Sequence, residues 1–483
     1  TALPFLIPLN LIYMKDDIHF ATIYHLSKQI KDGVISPVEL TEHMLSRIES
    51  SDPKLNSFAT VCAARALSEA RQAEKEILSG EYRGPLHGVP ISVKDLCYTK
   101  DLRTMGGLKV RKDFTPTFDA TVVNKLNLSG AVLLGKNGLT EGALSGYHPE
   151  FEIPKNPWGV ELWSGVSSSG SGVAVAAGLC FGSIGTDTGG SIRYPSMANG
   201  VVGLKPTYGA VSRHGVMELA RTLDHVGPLA RSVEDVAIIF DAIAGRDRHD
   251  PTSLARNLVP IKTQLSKEIR GMMLGIDSNY IGSGTDSGLL NAIDDVIKSF
   301  EALGVRLVEI NLPTSKPEEL RDLWLPIVAF EAVKAHEKTF PSKADDYGSY
   351  LRSVLELGLT MNEADYVSAQ MRRNQYATQF ETELKKVDAI ICPAGGFVFK
   401  INENAQYGDE EEMASVIKNF QGQFTIPSDL TGSPGLVVPC GFSEDQRPYT
   451  FQLLGPKFSE AALCALGHQY EQRHDWNSIH PDF

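Results

Sequence analysis

The sequence GTDTGGSIR, residues 185 to 193, carries the strongest structural signal in this chain of 483 residues. Gly189 and Gly190 stand directly before Ser191, so backbone N–H groups can turn inward beside a hydroxyl group. That arrangement is typical of an oxyanion hole next to a nucleophile. A phosphate-binding turn is the alternative, but the motifs GxxxxGK[ST] and GxGxxG are both missing. We therefore interpret Ser191 as a candidate nucleophile.

Two oppositely charged residues flank this turn. Asp187 precedes the two glycines, and Arg193 follows the serine. A carboxylate and a guanidinium at these positions can form a charge-assisted pair that clamps the loop. We expect both residues to support the structure of the loop.

The segment from 164 to 203 is unusually rich in Gly and Ser, and it begins with SGVSSSGSG at 164 to 172. Such a composition is typical of a flexible linker. However, VAVAAGL at 173 to 179 indicates a buried helix, which favours a tightly packed loop and helix. The block does not match the GxSxG nucleophile elbow, because the fifth position counted from Gly165 is Ser169. An α/β-hydrolase is therefore disfavoured.

A third block, GVPISVKD at 88 to 95, is an apolar strand that ends in a lysine. The ordinary interpretation is that Lys94 extends its amine to solvent. The alternative is a buried amine, whose pKa falls because desolvation disfavours the charged form. Such an amine can act as a base. The residues alone leave both interpretations open.

Short apolar runs alternate with helical patterns after residue 84, which predicts an α/β fold. The runs are 89–93, 131–134, 201–204, 389–392 and 436–438. They suit buried strands of a sheet that helices cover on both faces. No stretch resembles a domain linker, so we predict a single large domain.

Within that domain we expect a helical part at 14–80, in which Ser36 is the N-cap of a helix. The three blocks belong to a core at 84–250. A variable helical region follows at 254–424, and core strands and a helix complete the chain at 425–483. Residues 1–13 precede MKDDIHF, which reads like a natural protein start. We expect them to be an upstream leader or a segment added for expression.

The chain is acidic, with 46 Lys and Arg against 59 Asp and Glu and a net charge of −13. This charge disfavours nucleic acid as a partner, because phosphate contacts need a basic face. No apolar run reaches the ~20 residues of a membrane span, so no membrane partner is expected. The 6 Cys lack CxxC spacing and the 12 His lack an HExxH pattern. We predict reduced thiols, no metal and a cytoplasmic location.

Taken together, the blocks resemble the amidase signature family. The resemblance covers roughly residues 21–471 and is weakest between about 254 and 420. It is carried by these segments: GVPISVKD at 88–95, GKNGLTEGALSG at 135–146, NPW at 156–158, the Ser-rich block, GTDTGGSIRYP at 185–195, GVVGLKPTYGAVSRHG at 200–215, LDHVGPLARSVEDVAIIFDAIAG at 223–245, GSPGLVVPCGF at 432–442 and QLLGP at 452–456.

This resemblance implies a mixed sheet and a Ser-cis-Ser-Lys triad that needs no cofactor. Ser191 would be the nucleophile, and Lys94 would be the base. Ser167, preceded by a cis peptide bond, would carry protons between them. The chain would then hydrolyse a carboxamide to an acid and an amine or ammonia through an acyl-enzyme.

The resemblance also implies supporting roles. Backbone N–H groups of Thr188, Gly189, Gly190 and Ser191 would bind the oxyanion, and Ser168 would hydrogen-bond within the loop. One departure is visible, since the family often has two glycines after the two serines where this chain has Ser169 and a glycine. That difference can alter the hydrogen bonding of the loop.

Other residues are less specific. Lys205, His214 and His225 lie in signature segments, and Lys205 is expected to be structural. Cys180 and Cys392 are expected to be buried thiols. The variable region contains several aromatic residues, which either line a substrate pocket or pack in the core: Trp324, Phe330, Tyr347, Tyr350 and Tyr366. If they line a pocket, aryl and other hydrophobic amides are the favoured substrates.

Three alternatives stay open at this point. The chain could be the catalytic A subunit of a tRNA-dependent amidotransferase, it could hydrolyse esters or carbamates, or it could be a binding protein that keeps the fold. The third is disfavoured, because a scaffold has no need for Lys94, Ser167 and Ser191 together. The expected partner is a small-molecule amide, and the expected state is a monomer or homodimer.

Overall fold

The structure is a computed structural model that describes residues 18–256, 258–314, 316–409 and 421–483. The expected leader at 1–13 lies outside the described residues. The strands are β1 (Phe58–Val61), β2 (Pro90–Lys94), β3 (Val132–Asn137), β4 (Gly182–Asp187), β5 (Val202–Lys205), β6 (His225–Ala230), β7 (Met273–Ile276), β8 (Arg306–Glu309), β9 (Ala389–Pro393), β10 (Gly435–Phe442) and β11 (Pro448–Leu454).

These strands form one 11-stranded sheet with the order β1-β3-β2-β4-β6-β5-β10-β11-β9-β7-β8. Parallel pairs join β3, β2 and β4 on one side and β9, β7 and β8 on the other. Antiparallel pairs join the strands between these two groups. The sheet is therefore mixed, and the predicted α/β class is confirmed.

Helices connect the strands. The α-helices are α1 (Ile23–Lys31), α2 (Pro37–Leu55), α3 (Ala63–Leu78), α4 (Thr121–Leu128), α5 (Ser169–Ala176), α6 (Arg193–Asn199), α7 (Val233–Ile243), α8 (Ser278–Gly282), α9 (Ser287–Ala302), α10 (Pro317–His336), α11 (Ser349–Thr360), α12 (Glu363–Leu384), α13 (Glu403–Tyr407), α14 (Ile426–Thr431) and α15 (Glu460–Glu471). The 3-10 helices are Ile18–Phe20, Lys109–Arg111, Glu141–Ala143, Ile261–Gln264, Ala344–Asp346, Gly422–Phe424 and Trp476–Ser478.

The five apolar runs singled out in the sequence all lie in strands, with boundaries shifted by one to a few residues. Every residue of β2, β3 and β4 is buried, as expected for strands covered on both faces. Two edge elements gave no such signal. β1 lies inside the part predicted to be helical, and β8 is mostly exposed. Both are short, and neither shows the continuous apolar run of a buried strand.

The Ser- and Gly-rich segment is packed core and not a tether. All residues from 167 to 199 are buried, including every residue of α5. Small side chains let α5 approach its neighbours so closely that backbone meets backbone. The N–H of Gly170, in the first turn of α5, donates to the carbonyl oxygen of Gly138 at 3.1 Å.

Sheet topology brings two of the sequence blocks together. β2 and β4 are adjacent and parallel, so their carboxyl ends meet at the same edge of the sheet. Lys94 is the last residue of β2, and Asp187 is the last residue of β4. The loops that follow this edge carry the remaining candidate residues.

The close approach of α5 gives a stability prediction. A methyl group at Gly170 would lie 2.5 Å from the carbonyl oxygens of both Gly138 and Ser57. Since these are backbone atoms, Gly170→Ala should lower the free energy of unfolding by ~1–3 kcal/mol or more. The matched control is Gly282→Ala, because a Cβ there meets no atom within 4 Å. Urea unfolding followed by circular dichroism measures both, and an unchanged midpoint for Gly170→Ala would contradict the packing described.

Candidate active site

Lys94 is fully buried at the end of β2, which decides between the two interpretations of this residue. Its Nζ donates to Ser167 Oγ at 2.6 Å and to Thr186 Oγ1 at 2.8 Å. Burial lowers the pKa of Lys94 to about 7, because desolvation disfavours the ammonium form. A substantial fraction of this amine is therefore neutral near pH 7.

Thr186 is a site residue that the sequence reading missed. It lies on β4, next to Asp187, and its hydroxyl accepts one of the hydrogen bonds of Lys94. Its backbone carbonyl and N–H both bond to Ser168 Oγ, at 3.1 Å and 3.2 Å. Alternation along a strand could have indicated that the side chain of Thr186 points to one face, but not that this face holds Lys94.

Ser167 is the residue that the amine of Lys94 meets. It is fully buried, and the peptide bond between Val166 and Ser167 is cis, as the family resemblance predicted. Ser168 is also buried, and its N–H donates to the carbonyl oxygen of Ser191 at 3.2 Å. This bond joins the Ser-rich loop to the loop that carries the candidate nucleophile.

Ser191 lies in the loop between β4 and α6 and is 7% exposed. The hydrogen bond from the N–H of Ser168 to the carbonyl oxygen of Ser191 holds the backbone of Ser191 close to Ser167. In the described residues, no hydrogen bond joins the hydroxyl of Ser191 to that of Ser167. Hydrogen bonds of this kind are often long in a ligand-free site and shorten once substrate is bound.

The predicted pair of Asp187 and Arg193 is present and fully buried. Arg193 Nη2 lies 2.9 Å from Asp187 Oδ1, and Nε lies 3.0 Å from Oδ2. Burial would raise the pKa of Asp187, but the Arg193 guanidinium holds it well below its usual range. The same carboxylate accepts the N–H groups of Gly190 at 2.7 Å and of Ile192 at 2.9 Å. Asp187 thus fixes the backbone on both sides of Ser191.

One consequence concerns the predicted oxyanion donors. The N–H of Gly190 is already bonded to Asp187, so it supports the turn. The N–H groups of Thr188, Gly189 and Ser191 make no hydrogen bond within the described part of the chain, so they remain candidate donors. Thr188 is held from both sides: its hydroxyl donates to Asp224 Oδ1 at 2.7 Å, and its carbonyl oxygen accepts from Trp324 Nε1 at 2.8 Å.

The C-terminal part of the chain completes the support of this loop. Asp429, on α14, lies 2.8 Å from Arg193 Nη2 and is fully buried. Thr425 donates from its hydroxyl to the carbonyl oxygen of Gly189 at 2.7 Å. Gln452 Oε1 accepts from Arg193 Nη1 at 3.2 Å. None of these contacts could be read from the sequence, because the partners are more than 200 residues apart.

A cavity lined by rings lies beside the Ser-rich loop. Its volume is about 40 Å³, and Val166, next to Ser167, is part of its wall. We call it the ring-lined cavity. Its aromatic walls are Tyr147, Trp163, Tyr194, Tyr350, Phe397 and Phe399. The hydroxyls of Tyr147 and Tyr350 donate to Ser169 Oγ and to the carbonyl oxygen of Ala405, both at 2.7 Å. With these hydroxyls occupied, the cavity offers mainly ring surface.

The five aromatic residues singled out in the variable region have different fates. Tyr350 lines the ring-lined cavity, and Trp324 packs against Gly189. Phe330 and Tyr366 stack on each other with ring centroids 4.4 Å apart, and Tyr347 packs edge-on against His336 and Phe340. Only the first two of these five contact the candidate site in the described structure.

The other residues behave as structural groups. Lys205 is buried and donates to the carbonyl oxygen of Ser433 at 2.6 Å, and burial lowers its pKa to about 8. His225 lies 3.5 Å from Asp429, and burial lowers its pKa well below the usual value. Cys180 and Cys392 are buried.

Two further kinds of site were considered from the sequence, a metal centre and a membrane span. In the part of the chain that the structure describes, no cluster of His, Cys, Asp and Glu is arranged to hold a metal ion. Among the helices of the described ranges, none combines the length and the apolar character that crossing a bilayer requires.

Comparison with known proteins places this geometry in a family. The family model Amidase matches residues 39–464. "Putative amidase AmiD" of Mycobacterium tuberculosis is 39% identical over 459 residues, 95% of each chain. The A subunit of the glutamyl-tRNA(Gln) amidotransferase of Coxiella burnetii is 36% identical over 491 residues, which cover 96% of this chain and 99% of that protein.

Solved structures agree with this. The native peptide amidase from Stenotrophomonas maltophilia matches with a TM-score of 0.84 at 28% identity, covering 96% of this chain and 98% of that one. A structure described as an amidase has a TM-score of 0.81 at 30% identity, covering 94% of this chain and 100% of that one. With the family model covering most of its length and relatives above 30% identity along nearly all of it, the chain belongs to the amidase signature family of hydrolases.

Proposed function

We propose that this protein is a serine-dependent amidase in which Ser191 is the nucleophile, Ser167 carries protons and Lys94 is the base. Its substrate is a carboxamide, which it hydrolyses to a carboxylic acid and an amine or ammonia. The observation that carries the proposal is the 2.6 Å contact between the buried amine of Lys94 and Ser167 Oγ. No histidine is hydrogen-bonded to Ser167 or Ser191 in the described residues, so Lys94 is the base within reach.

The proton path follows from these contacts. Neutral Lys94 accepts the proton of Ser167 as Ser167 accepts that of Ser191, whose oxygen attacks the carbonyl carbon. The C–N bond of the tetrahedral intermediate then breaks as Ser167 donates its proton to the leaving nitrogen and Lys94 returns a proton to Ser167. Water then attacks the acyl-enzyme and gives its proton to Lys94 through Ser167. The acid leaves as Ser191 regains a proton along the same path. General-base help of this kind contributes ~100- to 10,000-fold to the rate.

Charge that develops on the carbonyl oxygen needs donors held in place beforehand. We assign this role to the N–H groups of Thr188, Gly189 and Ser191, in a loop whose backbone is fixed by the Asp187 carboxylate and by Thr425. A preorganised donor of this kind is worth ~3–4 kcal/mol in the transition state. Asp187 and Arg193 act as positioning residues, since neither is placed to touch the substrate.

The ring-lined cavity supports an aryl or other hydrophobic acyl group as the substrate class. Its wall includes Val166, which adjoins Ser167, so a group bound there lies next to the proposed triad. Aromatic side chains offer large apolar surfaces with favourable ring-to-ring contacts. The same acyl-enzyme chemistry would also accept esters and carbamates of the same acids.

A second candidate is the A subunit of a tRNA-dependent amidotransferase. The full-length identity of 36% to the Coxiella burnetii protein favours it. That function requires other protein chains, so it predicts little amide hydrolysis by the isolated chain and glutaminase activity that charged tRNA stimulates when those chains are present. Hydrolysis of aryl amides by the isolated chain, without any partner, favours the amidase.

The nucleophile can be tested by covalent labelling. Ser191→Ala should abolish labelling by a fluorophosphonate probe and amide turnover, because the attacking oxygen is gone. Ser212→Ala is the matched control, since Ser212 is also buried and bonds to Asp247 away from the triad. Intact-mass spectrometry measures the adduct, and circular dichroism checks the fold. A folded Ser191→Ala protein with normal turnover would refute the assignment.

The base can be tested by the pH dependence of kcat/KM. Only neutral Lys94 accepts a proton, and its pKa is about 7, so activity should fall as the pH drops below about 7. The apparent value belongs to Lys94 and the two serines as a coupled group. Lys94→Met should lower turnover at least ~100-fold and remove this dependence.

Asp224 provides the control for that profile. Burial raises the pKa of Asp224 to about 6, and its carboxylate accepts a hydrogen bond from Thr188 beside the candidate oxyanion donors. The acidic limb should persist in Asp224→Asn but move to lower pH, because the Asp224 carboxylate raises the pKa of Lys94. If the limb disappears there and persists in Lys94→Met, Lys94 is not the base.

The acyl preference can be tested at Tyr350. Tyr350→Ala removes one wall of the ring-lined cavity, so kcat/KM for benzamide should fall at least about tenfold relative to that for acetamide. Tyr366→Ala removes the same ring outside the cavity and should leave the ratio unchanged. An equal shift in both variants would indicate general loosening of the variable region and would contradict the assigned role of Tyr350.

A further inference from the structure

A second cavity lies apart from the ring-lined cavity and shares none of its residues. It is a cleft of about 340 Å³ between the segment after β2, the loop at 213–221 and the end of α10. Three arginines line it, Arg111, Arg213 and Arg221, against the two acids Glu218 and Asp250. We call it the cationic cleft. Its charge runs against that of the whole chain, which is −13.

Two of these arginines have no carboxylate partner. In the described residues, neither Arg111 nor Arg213 has a carboxylate oxygen within the 4.0 Å of an ion pair. Arg111 donates to Tyr98 OH at 3.3 Å and stacks on Phe114. Arg213 is 7% exposed, and its guanidinium donates to Tyr208 OH, Thr252 Oγ1 and the carbonyl oxygen of Arg221. Its Nε has no acceptor among the described residues.

Burying a guanidinium without a counter-ion is costly, so such a group is usually paired with an anion. Asp250 of the cleft and the neighbouring Asp224 interact with the charge of Arg213, but neither comes within ion-pair distance of its guanidinium. Glu218 is paired with Arg221 at 3.3 Å. Asp250 is occupied by the backbone N–H groups of Arg213 and Thr252 and by the hydroxyl of Thr252. In the described residues, two arginines of the cleft thus have no carboxylate in ion-pair contact. Few acidic groups are left to repel an anion.

The cleft also adjoins the proposed triad. A narrow cavity shares Arg213, Val216, Met217 and Glu218 with it, and its other walls include Thr186 and Thr188. Thr186 binds Lys94, and Thr188 is the first of the candidate oxyanion donors. Asp224 also lines this narrow passage, but its carboxylate already accepts from Thr188 and from the N–H groups of Leu219 and Ala220.

We propose that the cationic cleft around Arg111 and Arg213 binds a carboxylate carried by the amine end of the substrate. This rests on the proposed amide hydrolysis and names its substrate class: amides of amino acids in which a chain of several bonds separates the nitrogen from the carboxylate. The two substituents of the scissile amide occupy different cavities. The acyl group lies in the ring-lined cavity, and the amine end extends past Thr188 to the cleft.

Side chains of the cleft suit such an end. A guanidinium binds a carboxylate through two parallel hydrogen bonds, which gives both charge and direction. Tyr98 and Phe118 add apolar surface for the methylene chain that leads to the carboxylate. The leaving amino acid then keeps its carboxylate bound until the C–N bond has broken.

The test compares N-benzoyl amino acids with two to five methylene groups between nitrogen and carboxylate with the corresponding neutral N-alkylbenzamides. The wild-type protein should show a kcat/KM at least about tenfold higher for the best anionic substrate than for its neutral partner. Arg111→Gln should remove that preference, chiefly through KM, and leave the neutral substrates unchanged. Arg111→Lys should keep part of the preference, because lysine keeps the positive charge but lacks the two parallel N–H donors of a guanidinium.

Controls separate this proposal from the proposed function. Arg71→Gln, an exposed arginine of α3, should leave the preference intact. If the wild-type protein hydrolyses the anionic and the neutral substrates with equal kcat/KM, the cleft proposal is wrong, but the proposed amidase activity is still supported. Free butyrate tests the other source of a carboxylate. If it accelerates hydrolysis of unsubstituted benzamide, which has no chain to reach the cleft, in the wild type but not in Arg111→Gln, the cleft binds a separate anion and the substrate assignment is wrong.

Discussion

The carboxylate of Asp187 holds the candidate site together. It lies at the end of a central strand, pairs with the Arg193 guanidinium and accepts backbone N–H groups on both sides of Ser191. Arg193 in turn reaches Asp429 on helix α14, in the C-terminal part of the chain. Removing one partner of a buried pair of this kind costs ~3–5 kcal/mol, because a charge is left without compensation. The loop therefore depends on a charge network that draws on distant parts of the chain.

Reactivity in this site follows from where the sheet places its charges. An amine at the end of a fully buried strand is partly neutral near pH 7, because burial lowers its pKa, and this property makes Lys94 the proposed base. The arginine that stabilises the neighbouring loop stays charged, because a carboxylate accompanies it. The helical region contributes little to this machinery, but it supplies Tyr350 and Trp324 at the boundary of the site.

Local signals in the sequence predicted much of this. Apolar runs located the buried strands β2, β3, β5, β9 and β10 but not β4 and β6, and residue spacing identified the pair of Asp187 and Arg193 before the structure placed them 2.9 Å apart. The sequence did not predict the contacts that depend on tertiary packing. The hydroxyl of Thr186 meets Lys94 only because two parallel strands are neighbours, and Asp429 reaches the loop from more than 200 positions away. The donor role expected of Gly190 changed for the same reason, since a carboxylate three residues earlier already occupies its N–H.

The buried thiols have a practical consequence for site-directed labelling of this protein. All six cysteines are free and buried, and burial raises the pKa of Cys97, Cys180 and Cys392 among them, so their reactive thiolate forms are scarce. A cysteine introduced on the surface of α11 would react with a maleimide dye or a nitroxide far faster than these. Fluorescence or spin-label distances across the helical region can therefore be recorded on the natural background, without first replacing the native cysteines.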